Sequence, residues 1–248
     1  MTSPERDFGR ELYPFLYDGG RARDPRTTDA VLAEVRESTL QKCRDVAALR
    51  RQLADEYLDT LVEAAEAMAA AFARGGKLLA FGNGGSATDA QDAAADCLVP
   101  PLPRWRALPA LALTNDVAVV TALANDVGVE NVFSRQVIAF GERGDIALGF
   151  STSGNSANVV AGLAEARRRG LLTVALAGYD GGAMARGAVA DFCFVARAEH
   201  VPRIQEGHAT VWHALLELVQ QGLEARAQGP GPRAQTGGPG PWALGPMP

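Results

Sequence analysis

Five short apolar runs alternate with helical patterns through the middle of the chain. The helical patterns lie near residues 86–98, 117–124, 130–140, 156–169 and 201–226. The apolar runs lie near 77–81, 109–113, 146–150, 171–177 and 191–195, and each is apolar at consecutive positions. Parallel strands that are covered on both faces have this pattern. The alternation predicts an α/β fold with an open, mostly parallel five-stranded sheet, doubly wound with helices on both faces.

A longer helical pattern, residues 29–74, precedes the first strand. Its apolar residues repeat at steps of three and four and form one stripe: Tyr57, Leu61, Ala65, Met68 and Phe72. Gly75 and Gly76 are placed to end the pattern. A weaker stretch near 49–55 predicts a break, so we expect two N-terminal helices there.

The ends of the chain differ from this middle part. Residues 1–27 are irregular but contain four aromatic residues, Phe8, Tyr13, Phe15 and Tyr17. These aromatic residues are consistent with a flexible arm, or with an arm that packs on its own domain or on another subunit. Residues 227–248 are rich in Pro and Gly and cannot fill a core, so we predict a disordered tail. One domain, residues 28–226, is expected between them.

Bulk composition excludes several classes of protein. A chain of 248 residues with 47% hydrophobic content can bury one good core. Its net charge of −5 disfavours a nonspecific binder of nucleic acid or of membrane surfaces. The sequence has neither a run of about 18 apolar residues nor a secretory start. Its three cysteines are scattered, so we expect a cytoplasmic protein with reduced thiols.

Two turns rich in Gly and Ser follow predicted strands and open predicted helices. Gly82–Ser86 has the sequence GNGGS and Ser151–Ser156 has the sequence STSGNS, with four hydroxyl groups. Helix N-termini at the carboxyl ends of parallel strands attract oxyanions such as phosphate. A single turn of this composition often binds no ligand, but two of them at strand ends predict a cleft for a phosphate ester. Neither GxxxxGK[ST] nor GxGxxG is present, so a phosphorylated sugar fits better than ATP or NAD.

Acidic residues and histidines supply candidates for proton transfer. Asp89, Asp92 and Asp96 are spaced to share one face of a helix, which is also how an ordinary solvated face reads. The histidines are His200, His208 and His213, all in one short region. Gln205 lies two helical turns before His213, so their side chains could reach a common point. His208 is as consistent with packing or a subunit contact as with catalysis.

Four motifs in this order resemble the SIS (sugar isomerase) superfamily and, within it, the sedoheptulose-7-phosphate isomerase branch. They are GNGGS at 82–86, AND at 124–126, STSGNS at 151–156 and RIQEGH at 203–208. The resemblance extends from about Asp55 to Glu224. It implies an aldose–ketose isomerase that acts on a sugar phosphate. It also implies a homo-oligomer, generally a tetramer, with N-terminal helices in the interface.

The resemblance assigns roles to individual residues. Asp96 would be the base and His213 the acid that move a proton between C1 and C2 through an enediol. The phosphate would lie on Ser151, Thr152, Ser153 and Ser156. The rest of the substrate would contact Asn83, Gly84, Gly85, Ser86, Asn125, Asp126 and Gln205.

A divalent metal, zinc by resemblance, would be held by Asp92, Asp96, Gln205 and His213. Asp92 stands where the family has a histidine, and Asp96 where it has a glutamate. Such a set favours oxygen-loving ions such as Mn²⁺, and its shorter reach is also compatible with no metal. Two other interpretations therefore stay open. One is a non-catalytic SIS protein that binds a sugar phosphate or a protein partner. The other is an isomerase for a different phosphosugar.

Overall fold

One long helix, α1 (Thr28–Ala73), opens the part of the chain that the computed structural model describes, residues 28–228. It runs without interruption for 46 residues, so the predicted break near 49–55 is wrong. The physical reason is that this stretch contains no Gly or Pro, and that Leu49 and Leu53 are both buried one turn apart. The apolar stripe therefore continues through the stretch where two helices were expected.

Gly75 and Gly76 end α1 as expected. Gly75 has a φ of 88°, and Gly76 N–H donates to the carbonyl of Ala71 across 3.0 Å. A left-handed glycine with this bond satisfies carbonyl groups at a helix end. Within the described residues, the chain divides into two units between Arg44 and Asp45, and the sheet belongs to the second unit.

Two predicted segments lie outside the described residues. They are the aromatic arm, residues 1–27, and all but the first two residues of the Pro/Gly-rich tail predicted for residues 227–248, so both remain predictions. Every helix within residues 28–228 is too short or too polar to cross a membrane.

Five parallel strands form one sheet in the order β2-β1-β3-β4-β5. Each strand lies within two residues of its predicted position, which confirms the α/β fold. The bounds are β1 Leu78–Gly82, β2 Ala110–Ala112, β3 Ile146–Ser151, β4 Leu172–Gly178 and β5 Phe192–Ala196.

Helices connect the strands and cover both faces of the sheet. A 3₁₀ turn, Val129–Asn131, precedes α4, and the five-residue α6 was not predicted because it is too short to show a helical period. The bounds are α2 Gly85–Leu98, α3 Val117–Val127, α4 Val132–Phe140, α5 Ala157–Arg168, α6 Gly182–Arg186 and α7 Val201–Ala227.

The core has two layers, one on each face of the sheet. Alternate residues of β1 face opposite sides: Leu78 and Ala80 pack with α1, α2 and α7, whereas Leu79 and Phe81 pack with α4 and α5. Phe81 stacks on Phe133 with ring centroids 5.2 Å apart. Truncation of Phe81 to Ala would therefore cost about 3–5 kcal/mol. The doubly wound arrangement is confirmed.

The strand order reverses direction between β1 and β3. Gly82 at the end of β1 is paired with Phe150 near the end of β3, so the loops that follow these two strands are neighbours. A crevice at such a switch point is where open α/β sheets bind ligands. Both Gly/Ser-rich turns of the sequence lie at this crevice.

Candidate functional site

A pair of amide side chains joins the two loops at the crevice. Asn83 donates to Asn158 Oδ1 across 2.8 Å, and Asn158 donates back to Asn83 Oδ1 across 2.9 Å. Asn83 follows β1, and Asn158 lies in the first turn of α5 after β3. Reciprocal hydrogen bonds of this kind fix both side chains, so the loops keep one mutual position. Asn158 was not among the predicted site residues.

Residues 151–156, which are predicted to bind phosphate and which we call the phosphate loop, have hydroxyl groups that contact one another. Ser151 Oγ lies 2.9 Å from Ser156 Oγ and 3.4 Å from Ser153 Oγ. Ser156 is the N-cap residue of α5, but its side chain makes no capping bond. The first N–H groups of α5 are therefore available to an oxyanion, which the helix dipole also attracts. Thr152 is half-buried on the same loop.

A tight turn at Gly154 lets the phosphate loop pack closely against residues 181–183. Gly154 has a φ of 64°, and a Cβ there would overlap the carbonyl oxygen of Gly181. Asn155 N–H donates to Ser153 Oγ across 3.1 Å, while Asn155 Oδ1 accepts from Ala183 N–H across 2.8 Å. The unpredicted helix α6, which contains Ala183, thus braces the phosphate loop.

The first turn of α2 brings the GNGGS loop against α7. A Cβ at Gly85 would overlap the side-chain amide of Gln205, so only glycine admits this contact. Ser86 is buried, and its N–H donates to the carbonyl of Asn83 across 3.0 Å. Gly84 has a φ of 57°, a conformation that side chains rarely adopt. The predicted loop residues and Gln205 therefore do come together.

Beside this loop, a cavity of about 200 Å³ opens between β1 and α3. Its lining includes Asn83, Asn158, Thr114 and Ala124. Thr114 Oγ1 is buried and has no hydrogen-bond partner within residues 28–228, a feature that the sequence did not reveal.

Asn125 and Asp126 follow Ala124 near the end of α3. Both are exposed, and Asn125 Nδ2 donates to Asp126 Oδ1 across 3.0 Å. Neither residue lines the cavity, so their contact with substrate remains a prediction.

Two of the three acids on α2 face α7. Asp96 Oδ2 accepts a hydrogen bond from Trp212 Nε1 across 2.9 Å and lies 3.8 Å from His213 Nε2. The imidazole of His213 is largely exposed, whereas the Asp96 side chain is mostly covered. Asp96 and His213, which we call the acid–imidazole pair, are suited to proton transfer between a base and an acid. Trp212 gave no functional signal in the sequence.

Asp89 occupies a more enclosed place, one turn from the GNGGS loop. Burial is the main cause that raises the pKa of its carboxyl group to about 6. The hydrogen bond from Gln205 lowers this pKa, whereas the nearby Asp92 carboxylate raises it further. Gln205 Nε2 donates to Asp89 Oδ2 across 3.4 Å, and His208 Nδ1 lies 4.0 Å from the same oxygen. Asp92 is exposed.

His208 is a packed, neutral imidazole. It is 1% exposed, its Nε2–H donates to the carbonyl of Ala177 across 3.0 Å, and its ring lies 6.1 Å from that of Phe150. Burial lowers the pKa of His208 to about 4. Its Nδ1 therefore presents a lone pair towards Asp89, and the packing role is the one that this geometry supports.

The four residues predicted to hold a metal come together only in part. Asp96 and His213 are close enough to bind one ion. The side-chain N–H of Gln205, however, donates to Asp89, and Asp92 is exposed. Within the described residues, no group of three or more His, Cys, Asp or Glu side chains could hold a metal ion. As placed, these donors do not complete a four-ligand centre. Zinc or Mn²⁺ remains a prediction.

Comparison with known proteins agrees with this fold and loop arrangement. A sequence profile described as the SIS domain matches residues 43–178. The phosphoheptose isomerase of Desulfovibrio desulfuricans is 49% identical over 180 residues, which are 73% of this chain and 85% of that protein. The phosphoheptose isomerase of Aquifex aeolicus is 43% identical over 178 residues, 72% of this chain and 92% of that protein.

Solved structures lead to the same family. The phosphoheptose isomerase of Neisseria gonorrhoeae superposes with a TM-score of 0.68 at 36% identity, covering 75% of this chain and 99% of its own. That of Francisella tularensis gives a TM-score of 0.64 at 31% identity, covering 79% and 100%. The chain therefore belongs to the SIS-domain family, in its phosphoheptose isomerase branch.

Proposed function

We propose that this protein is a phosphoheptose isomerase, which interconverts sedoheptulose 7-phosphate and the corresponding aldose, a heptose 7-phosphate. The observation that carries the proposal is the acid–imidazole pair, with Asp96 Oδ2 and His213 Nε2 3.8 Å apart, on helices that flank the GNGGS loop. The identity of 40–49% with curated phosphoheptose isomerases supports it.

Substrate binding in this proposal begins at the phosphate loop. The hydroxyl groups of Ser151, Thr152, Ser153 and Ser156 and the first N–H groups of α5 receive the phosphate. Asn83 retains one side-chain amide N–H and one lone pair on Oδ1 beyond its bonds to Asn158, and these bind sugar hydroxyls. Such contacts hold ground state and transition state alike, so they set substrate affinity more than turnover.

Proton transfer in this proposal belongs to the acid–imidazole pair. The Asp96 carboxylate removes a proton from C1 of the ketose, while His213 protonates the carbonyl oxygen on C2, which gives the enediol. The same groups then act in reverse roles: Asp96 returns the proton to C2, and His213 accepts the proton from the oxygen on C1. The product is the aldose, and both side chains regain their starting forms.

None of these steps passes through a metal ion, because the placed donors do not complete a metal centre. We keep a divalent cation at Asp92, Asp96, Gln205 and His213 as a prediction. Metal analysis of purified protein tests it, together with activity before and after treatment with a chelator. Loss of activity on chelation that Zn²⁺ or Mn²⁺ restores would establish the cation.

The direct test follows sedoheptulose 7-phosphate with the protein by NMR, with added Zn²⁺, Mn²⁺ or chelator. We expect a new aldose C1 signal and, in D₂O, deuterium at C2 of the product. Binding of the sugar phosphate without turnover under any of these conditions would favour the non-catalytic SIS protein. Turnover of a different phosphosugar alone would favour the third interpretation.

We further propose a homo-oligomer, the tetramer that the resemblance implies. Leu58 and Val62 on α1 are exposed, and the apolar helix α3 has no buried residue, as expected of surfaces that a second copy covers. Light scattering should give about four times the chain mass of 26.0 kDa. A mass of one chain would contradict the proposal.

A cytoplasmic location is the matching proposal for the compartment. It is supported by the free thiols of Cys43, Cys97 and Cys193, since oxidising compartments favour disulfides. Fractionation of cells that produce the full chain tests it.

A further inference from the structure

A buried indole holds the carboxylate of Asp96. Trp212 is 3% exposed, and its Nε1–H donates to Asp96 Oδ2 across 2.9 Å. The same oxygen lies 3.8 Å from His213 Nε2. One atom of Asp96 is thus fixed from the core side by residue 212, while it faces the imidazole of the next residue in the chain.

The three side chains differ in how firmly they are held. His213 is 69% exposed at its side chain and has freedom to reorient. Trp212 belongs to the core cluster that also contains Leu215 and Leu216, and only two side-chain torsions define its position. A single bond separates the Asp96 carboxylate from its Cβ, so the hydrogen bond to a fixed indole selects its rotamer. Trp212 is the rigid member of the group.

The chemistry of indole defines what Trp212 can contribute. Its N–H is a donor only and does not exchange a proton with substrate during turnover. It therefore acts through Asp96, by holding the carboxylate in place before substrate arrives. Such preorganisation lowers the barrier of the chemical step more than it changes substrate affinity.

We propose that Trp212 is a positioning residue for the isomerisation, which fixes the Asp96 carboxylate for proton abstraction. The proposal rests on the proposed function, because it takes Asp96 as the base. Hydrogen bonds to charged groups are among the stronger ones in proteins, so loss of this bond should lower kcat about 10- to 100-fold.

The test is Trp212→Phe, which keeps an aromatic ring and removes the N–H donor. We expect the fall in kcat with KM within about 2-fold of wild type, because the phosphate loop is untouched. Trp105→Phe is the matched control, since Trp105 is half-buried against the same core cluster and, among the described residues, its indole makes no hydrogen bond to Asp96. It should leave kcat within about 2-fold.

A second variant guards against a folding defect. Replacement of Trp212 by 3-benzothienylalanine keeps the bicyclic shape and substitutes sulfur for the N–H group. It should reproduce the kcat loss of Trp212→Phe with native circular dichroism. Unchanged kcat in this isostere would overturn the proposal.

An activity-independent readout separates this proposal from the proposed function. In wild type, the indole N–H of Trp212 should exchange slowly with solvent by NMR, and Asp96→Ala should accelerate that exchange. Fast exchange in wild type would overturn the hydrogen bond itself. An active wild type with unchanged kcat in both Trp212 variants would overturn the positioning role alone. A wild type without any isomerase activity would overturn the proposed function, and with it this role in the reaction.

Discussion

The phosphate loop and the acid–imidazole pair are built in opposite ways. In the phosphate loop, the serine hydroxyl groups contact residues within six positions in the chain, and the end of β3, the start of α5 and one contact with α6 fix the backbone. The acid–imidazole pair joins α2 to α7, elements separated by more than 100 residues, and its geometry depends on how two helices pack. In the proposed site, local geometry thus builds the anion-binding part, and long-range packing builds the part that transfers protons.

This difference predicts separate kinetic consequences. Changes in the phosphate loop should alter KM, because the phosphate is distant from the bonds that change. Changes at the acid–imidazole pair should alter kcat.

Asp96→Asn should remove the proposed catalytic base. The amide keeps the size of the side chain but is a poor base, so we expect kcat to fall about 10²- to 10⁴-fold with little change in KM. The conversion of sedoheptulose 7-phosphate by NMR measures it. Asp59→Asn, the same change at an exposed position of α1, is the control. A fall of less than about 3-fold for Asp96→Asn would remove Asp96 as the base.

Asp89 and His208 should oppose each other in the dependence of stability on pH. The pKa of His208 is lowered from 6.5 to about 4, so acidification through this range protonates the unfolded chain first and destabilises the fold. The pKa of Asp89 is raised from 3.8 to about 6, so acidification through that range protonates the folded chain first and stabilises it. Between about pH 6 and 4 the two effects offset.

Single variants should separate the two effects in urea unfolding at pH 7, 5 and 4. In Asp89→Asn only the effect of His208 remains, so the free energy of unfolding should fall by up to about 3 kcal/mol on acidification. This figure follows from the difference of about 2.5 between the pKa values of His208 in the unfolded and folded chain. In His208→Gln only the effect of Asp89 remains, so the free energy of unfolding should rise by about 2 kcal/mol on acidification. This figure is reduced to allow for the partial exposure of Asp89. Parallel pH profiles for wild type and both variants would contradict this account.

Ser156→Ala should weaken substrate binding and leave the chemical step nearly unchanged. It removes a hydroxyl that lies 2.9 Å from Ser151 Oγ and that we propose binds the phosphate, so we expect KM to rise about 10-fold with kcat nearly unchanged. Ser134→Ala, on α4, removes a hydroxyl outside the phosphate loop and serves as control. A fall in kcat without a rise in KM would show that the phosphate loop and the chemistry are not separable.

Gly85→Ala should have the smallest effect. The added methyl meets the flexible end of Gln205, which can rotate away at a cost of about 1 kcal/mol. We expect KM to rise a few-fold, with Asp89 losing its hydrogen bond from Gln205. Steady-state kinetics and a crystal structure of the variant would measure both effects. An unchanged Gln205 position would contradict the expectation.

The sequence predicted the sheet and its loops well because both depend on short-range patterns. All five strands and the turn at Gly75 follow from apolar runs and glycine chemistry. The expected break in α1 was wrong because buried Leu49 and Leu53 outweigh the charged residues between them. Helix α6 was missed because five residues show no period.

Contacts between distant residues account for the rest. Nothing at Trp212 signals a bond to Asp96, because that bond exists only after α7 packs on α2. The same holds for the enclosure that raises the pKa of Asp89, since three aspartates at helical spacing look alike until their surroundings are known. The amide pair of Asn83 and Asn158 likewise requires the β1–β3 pairing first.

The amide pair at the crevice also determines how the crevice responds to its surroundings. Asn83 and Asn158 carry no charge in any form accessible in water, so neither acid nor salt weakens their mutual hold. The width of the crevice is therefore insulated from ionic conditions, whereas Asp89 on α2 and His208 on α7 change charge with pH. A change of pH should therefore alter the charge beside the GNGGS loop while the two loops at the crevice keep their separation.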